Sequence, residues 1–229
     1  MSKLFEDLSK RNKLYVFKDR QDAGRQLGNM LSPKYESLNC VVLAIPSGGV
    51  PVALEVAKRL KAELDIIVCR KIPLPFNKEA GFGAISPDGD TYLNEAIIKS
   101  LQLPDQYIHQ AINEVFSEIR RREEVFRMRK PMVTLQGRVT ILVDDGLASG
   151  YTMLAAIRYV KKKSPAKVVV AVPTSPRESI NLILPQVDEL YCLNVRDLYP
   201  FAVADAYEVW YDLSDEEVLS LLKKAWGLS

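Results

Sequence analysis

The stretch Ile141-Leu142-Val143-Asp144-Asp145-Gly146-Leu147-Ala148-Ser149-Gly150-Tyr151-Thr152 decides how this chain is read. An apolar run suited to a buried strand ends in two carboxylates. A loop of small residues follows and opens a helix near Thr152. Glycines at 146 and 150 permit backbone angles and close approaches that other residues resist. Free amides at a helix start, with the Ser149 and Thr152 hydroxyls nearby, form a cup for a phosphate. Two bare carboxylates beside that cup would repel an anion. A sugar phosphate reconciles them, its diol donating to the acids while its phosphoryl group rests on the amides. Magnesium would offset the remaining negative charge through oxygen ligands and retained waters. Neighbouring strand side chains point to opposite faces, so both aspartates meet one ligand only if the strand has already ended.

Outward from this turn, the strand over 139–143 and its helix are followed by a strand over 167–172 and a weaker one over 189–193. An earlier unit has the same form. Val41-Val42-Leu43-Ala44-Ile45 is a buried strand that runs into Pro46-Ser47-Gly48-Gly49-Val50-Pro51. Pro51 suits the first turn of a helix, Val52, Val56 and Leu60 repeat at helical spacing, and a strand over 65–69 follows. Before it, a short strand over 14–17 precedes a helix capped near Asp19 and Asp22 and ended by Pro33. Repeated units of strand, turn, helix and strand predict an α/β fold, doubly wound, with a mostly parallel sheet and helices on both faces.

Between the units, residues 72–137 form an insertion. Its first part, Pro73 to Gly89, is rich in proline and glycine and predicts a long flexible loop. A helix is expected from about Asp105, with Ile108, Ile112, Val115 and Ile119 on one face, and Arg120 to Glu124 as a solvated segment of it. The chain of 229 residues is expected to be a single domain, with residues 196–229 as a C-terminal hood. Hydrophobic residues at 48% and charged ones at 26% are ordinary for a folded domain. The formal net charge of +2 gives no basic bias toward nucleic acid. Cys40, Cys69 and Cys192 are too far apart for a zinc cluster and are expected to be buried free thiols. No apolar run reaches membrane-spanning length, and charge interrupts the first twenty residues, so a cytoplasmic protein is expected.

The stretch 139–152 resembles the signature of the type I phosphoribosyltransferases: an apolar strand, two acids, a short loop with Ser or Thr before Gly, and a helix. The layout, with Asp19-Arg20 and Glu79-Ala80-Gly81-Phe82-Gly83-Ala84, is similar to a branch of that family with no assigned substrate. The resemblance implies that Asp144 and Asp145 bind the ribose hydroxyls of phosphoribosyl pyrophosphate and contact magnesium indirectly. It implies that Gly146, Leu147, Ala148, Ser149, Gly150, Tyr151 and Thr152 hold the 5-phosphate. Ser47, Gly48 and Gly49 would bind the pyrophosphate, with Arg70 and Lys71 neutralising it and acting as the catalytic cations. The loop over 73–89 occupies the place of the family's closing loop, with Lys78 and Glu79 as its charged candidates. A homodimer is the family's usual state.

The acceptor base stays unidentified. The loop position that is acidic in 6-oxopurine enzymes is Ala148. Tyr199 and Phe201, with Tyr207 and Trp210, are aromatic candidates for stacking, although such aromatics more often pack the interior. His109, the only histidine, is expected on the surface, which argues against a Ser-His-Asp mechanism. The expected reaction is Mg2+-dependent displacement of pyrophosphate by a nucleobase nitrogen, carried by positioning and charge stabilisation. A phosphoribosyl pyrophosphate-binding regulator and a phosphoribosyl hydrolase or phosphorylase are the alternatives.

Overall fold

Strands that are apolar on both sides can be buried only in a sheet covered on both faces, and such strands form the centre of this molecule. The computed structural model describes residues 3–228; the side chains of Lys78 and Glu79 lie outside what is described. In chain order the elements are β1 (Lys3–Glu6), α1 (Arg20–Tyr35), β2 (Cys40–Ala44), α2 (Gly49–Leu60), β3 (Glu63–Ile66), β4 (Arg70–Leu74), β5 (Asn77–Ile85), β6 (Thr91–Leu93), α3 (Glu95–Ser100), α4 (Asp105–Arg127), β7 (Val139–Val143), α5 (Tyr151–Lys161), β8 (Lys167–Pro176), α6 (Arg177–Ile183), β9 (Glu189–Arg196) and α7 (Asp215–Trp226). Six strands form one sheet in the order β1-β9-β8-β7-β2-β3, and every neighbouring pair is parallel.

Alternate residues of the central strands feed two separate cores. Val42, Ala44, Ile141, Val143, Val169 and Ala171 meet α1, α2, α4 and α7 on one face. Val41, Leu43, Leu142, Val168, Val170 and Val172 meet α5 and α6 on the other. Each fully buried Val, Leu or Ile among them contributes roughly 1.5–3 kcal/mol.

The sheet also fixes where a ligand can enter. β2 leads through α2 to β3 on one side, whereas its other neighbour β7 leads through α5 to β8. Connections leaving adjacent strands in opposite directions part above the strand ends and open a crevice there. The pairing of Ala44 with Val143 sets the loop after β2 beside the acid turn after β7.

Four local expectations are corrected. Residues 14–17 form no strand: Tyr15 has φ of 51°, and only Phe17 makes an isolated bridge to Tyr207. The edge strand is β1, which pairs with β9. The strand expected over 65–69 lies at Glu63–Ile66. Pro33 sits inside α1, which continues to Tyr35; the Asn29 carbonyl that a proline cannot reach accepts from the Ser32 hydroxyl at 3.2 Å.

The fourth correction concerns the expected flexible loop. Residues 70–93 form a three-stranded antiparallel sheet, β4-β5-β6. Ile72, Phe82 and Ile85 are fully buried and anchor it. Gly83 permits close strand approach, since a Cβ there would stand 2.3 Å from the Tyr92 carbonyl oxygen. Composition signalled a loop, whereas the glycine serves sheet packing.

At the end of the sheet away from the crevice, Glu189 is 4% exposed. It accepts from Lys167 Nζ at 2.5 Å, Tyr35 Oη at 2.6 Å and Tyr191 Oη at 3.0 Å, and from Lys34. Burial alone would raise this acid; its four donors outweigh that and hold it down to about 2. A depressed carboxylate stabilises the fold above its unfolded value, and that contribution disappears as pH falls toward the folded value. Glu189→Gln is therefore expected to destabilise the protein by about 2 kcal/mol at pH 7. Its deficit should shrink between pH 4.5 and 2, read by urea unfolding across that range.

Candidate active site

Val143 is the last residue of β7, so Asp144 and Asp145 stand where the strand has ended and alternation no longer governs them. The structure divides the two acids. Asp144 lines a cleft of about 320 Å³ together with Lys71, Gly81, Ile97, residues 146–153 and Val203. Asp145 turns toward α1, where Arg20 Nε meets its Oδ2 at 2.8 Å. Arg20 is 7% exposed. Its Nη1 donates to the Tyr211 carbonyl at 2.9 Å, and its guanidinium lies 3.8 Å from the Trp210 ring centroid.

The loop after β2 presses against the same turn. A Cβ on Gly48 would stand 1.8 Å from Asp145 Oδ2, so only glycine fits beneath that carboxylate. The Tyr207 hydroxyl donates to the Asp145 carbonyl at 2.6 Å and closes the arrangement from the C-terminal side.

The loop from Gly146 to Gly150 follows. The Leu147 amide donates to the Thr174 carbonyl at 3.0 Å, which ties the loop to β8. Gly150 enters α5 with φ of 79° and without a side-chain cap. Among the described residues, Gly146, Ala148, Ser149, Gly150, Tyr151 and Thr152 have no protein acceptor for their amides. Of the seven amides in the sequence-derived cup, Leu147 is thus committed to the fold. The others can meet an anion at the start of a helix.

Burial pushes both aspartates above their ordinary range. Asp144 moves well up because the charge of Asp145 adds to burial. At Asp145 the guanidinium of Arg20 opposes the rise.

Cations approach from the start of β4 and from α4. Lys71 lines the cleft. Arg70, at the start of β4, is pushed below its ordinary value by burial and by the like charge of Arg122. Arg122 corrects the reading of residues 120–124 as solvated. Its side chain is 16% exposed, it pairs with Glu118 and Asp215, and its Nη1 lies 3.3 Å from the Ser47 hydroxyl. A basic helical segment gives no sign in sequence of which arginine a distant loop will meet. Asp144 has no cage of further acids: among the described residues no group of three His, Cys, Asp or Glu could hold a metal.

The aromatic candidates stand apart from the cleft. Tyr199 is 69% exposed, and the Phe201 ring lies 6.0 Å from the Arg196 guanidinium. Neither lines the cleft, whereas Val203 does. Tyr207 and Trp210 pack together at 5.1 Å, and Tyr207 is buried. His109 is exposed, and all three cysteines are free and buried. No helix among the described residues is long and apolar enough to cross a membrane. A larger groove, about 640 Å³, lies between α2 and α7 and shares no residue with the acid turn.

The all-parallel sheet with a crevice at its switch point defines a doubly wound α/β protein. A phosphoribosyl transferase domain model matches residues 97–199, a span that includes β7, the acid turn and α5. Two Mycobacterium tuberculosis proteins, from strains CDC 1551 and H37Rv, each named "Putative phosphoribosyl transferase", are 40% identical over 210 residues. The matched region is 92% of this chain and 47% of theirs, so the chain spans about half the length of these curated relatives. The crystal structure of TT1426 from Thermus thermophilus is similar with a TM-score of 0.74 and 35% identity, covering 91% of this chain and 98% of that one. A phosphoribosyl transferase domain is thereby recognised over residues 97–199.

Two outcomes follow from the geometry. A carboxyl whose folded value lies above its ordinary 3.8 contributes fully below the unfolded value, and that contribution is lost as pH rises through the folded value. Asp144→Asn should therefore melt at or above the wild-type temperature at about pH 7.5, with the gap closing near pH 4, as read by thermal scans at both pH values. Gly48→Ala should drive the Asp145 carboxylate off its seat and lower stability by about 2 kcal/mol, measured by urea unfolding.

Proposed function

We propose that this protein is a phosphoribosyltransferase that moves the 5-phosphoribosyl group of phosphoribosyl pyrophosphate to a nitrogen of a nucleobase or related heterocycle, with release of pyrophosphate. The observation that carries this reading is the single cleft containing Asp144, Lys71 and the open loop of residues 146–152. Its two chemical ends match a substrate that is a diol at one end and a phosphate at the other.

In this reading the amides before α5 and the Ser149 and Thr152 hydroxyls hold the 5-phosphate. The Asp144 carboxylate, facing the cleft, accepts from the ribose hydroxyls, with Asp145 beside it in the acid turn. The diphosphate lies against Ser47, Gly48 and Gly49, the segment seated on the acid turn, with Arg70, Lys71 and Arg122 on the cationic side. The reaction exchanges the anomeric carbon's bond to a diphosphate oxygen for a bond to a ring nitrogen, which loses its proton. The protein fixes the anomeric carbon between base and leaving group, and the cations stabilise the charge that collects on the diphosphate.

The donor set fits Mg2+ that arrives with the substrate. A magnesium ion takes one or two carboxylates, several waters and phosphate oxygens, and needs no protein cage. Bound in that way, it would offset charge on the diphosphate. The acceptor occupies the region near Val203, where the C-terminal segment meets the phosphate loop. The copy number in this reading is the homodimer usual for the family, and the setting is the cytoplasm.

The reading is tested by incubating the protein with phosphoribosyl pyrophosphate, Mg2+ and a panel of purine and pyrimidine bases while pyrophosphate is measured. Release that depends on one base is expected. Binding with no turnover on any base would make the protein a sensor, and release without a base would make it a hydrolase. Asp144→Asn should weaken phosphoribosyl pyrophosphate binding by about tenfold or more, by calorimetry.

A further inference from the structure

The acid turn holds two carboxylates, yet only one of them borders the cleft. Asp144 lines it; Asp145 is fixed from three other directions. Arg20, the first residue of α1, donates to Oδ2 at 2.8 Å from a position 125 residues away in sequence. Gly48, from the loop after β2, leaves no more space than a hydrogen beneath the same oxygen. Tyr207, from the C-terminal segment, holds the Asp145 main chain at 2.6 Å.

Arg20 is itself held. Trp210 covers its guanidinium at 3.8 Å, the Tyr211 carbonyl takes a second N–H, and the side chain is 8% exposed. The adjoining Asp19 caps α1 through the Asp22 amide at 2.7 Å, which fixes the helix start from which Arg20 reaches out. A guanidinium this enclosed is costly unless its charge is met, and Asp145 meets it.

From this geometry we propose that Arg20 is the positioning residue of the sugar site: it anchors Asp145, and through Asp145 it sets both Asp144 against the ribose diol and Gly48 against the diphosphate. The inference rests on the proposed phosphoribosyl chemistry and adds a division of labour within the acid pair. Asp144 meets the sugar face to face, and Asp145 is the joint between the two ligand loops. Arg20 touches no substrate. Its loss should be felt where the diol is read, and not at a phosphate held by amides.

The test uses the full chain and three probes bound in the presence of Mg2+: phosphoribosyl pyrophosphate, ribose 5-phosphate, and a ribose 5-phosphate analogue lacking the 2- and 3-hydroxyls. Arg20→Met keeps the apolar stem under Trp210 and removes the charge. It should weaken the two diol-bearing probes by about tenfold or more and leave the dideoxy analogue within about threefold of wild type. In an Asp145→Asn background the same substitution should add little, because residues acting through one contact are not additive. Arg20→Lys keeps a cation at the same place and should recover most of the loss. Should Arg20→Met fail to give a cooperative thermal transition, Arg20→Lys and Arg20→Gln carry the comparison, with the lysine variant expected to bind diol probes better than the glutamine variant.

Equal weakening of all three probes would reduce Arg20 to general support of the fold and overturn the proposal, as would full additivity with Asp145→Asn. Unchanged diol binding in Arg20→Met would overturn it while leaving the phosphoribosyl reading in place. Absence of binding of any diol probe to the wild-type protein would remove that reading, and this inference with it.

Discussion

Two carboxylates placed side by side at the end of a buried strand set the terms for the surrounding structure. Burial disfavours the charge of both, and at Asp144 the charge of Asp145 adds to the effect. One enclosed guanidinium, Arg20, relieves half of that conflict by pairing with Asp145 at 2.8 Å. The other half remains at Asp144, on the side that faces the cleft. An acid poised in this way is stabilised by hydroxyl donors or by a cation brought with a ligand. The same poise is a cost to the empty protein, which is the usual trade between stability and function at a binding site.

The parallel sheet supplies the geometry that this charge distribution requires. Opposite departures of the chain from β2 and β7 open a crevice above their ends. The register that pairs Ala44 with Val143 then puts the loop containing Gly48 against the acid turn. Positive charge comes from outside the six-stranded sheet, since Arg70 and Lys71 open β4, just ahead of the inserted segment, and Arg122 lies on α4 within it. The open loop amides and the Asp144 carboxyl thereby border one cleft together with Lys71. The insertion contributes a folded three-stranded sheet, so the wall carrying Lys71 is built from strand pairing.

Much of this was legible where a short run of sequence carries its own physical logic. The β-branched strands over 41–45 and 139–143, the acids at the close of the second and the glycine-flanked loop into α5 need only local rules, and the structure places all of them as expected. Accuracy was lost where composition substituted for pairing. Prolines and glycines over 73–89 suggested a loop, but Gly83 is there because the Tyr92 carbonyl comes too close for a Cβ. The apolar residues at 14–17 suggested a strand, but no sheet edge receives them, and Phe17 packs on Tyr207 instead. Arg122 was grouped with its exposed neighbours because helical charge patterning does not show which face meets Ser47.

The sequence by itself determined the α/β class, the two strand-turn-helix units and the acid turn with its glycine-flanked loop, because alternation, helix starts and glycine conformations act over a few residues. Tertiary structure alone decided that Asp144 and Asp145 differ, that Arg20 rather than a neighbouring cation meets Asp145, and that Val203 borders the cleft in place of Tyr199 and Phe201. Those outcomes depend on which distant segments the parallel register brings together. Contacts across 125 residues are set by packing of the whole sheet and its helices, and no local propensity encodes them.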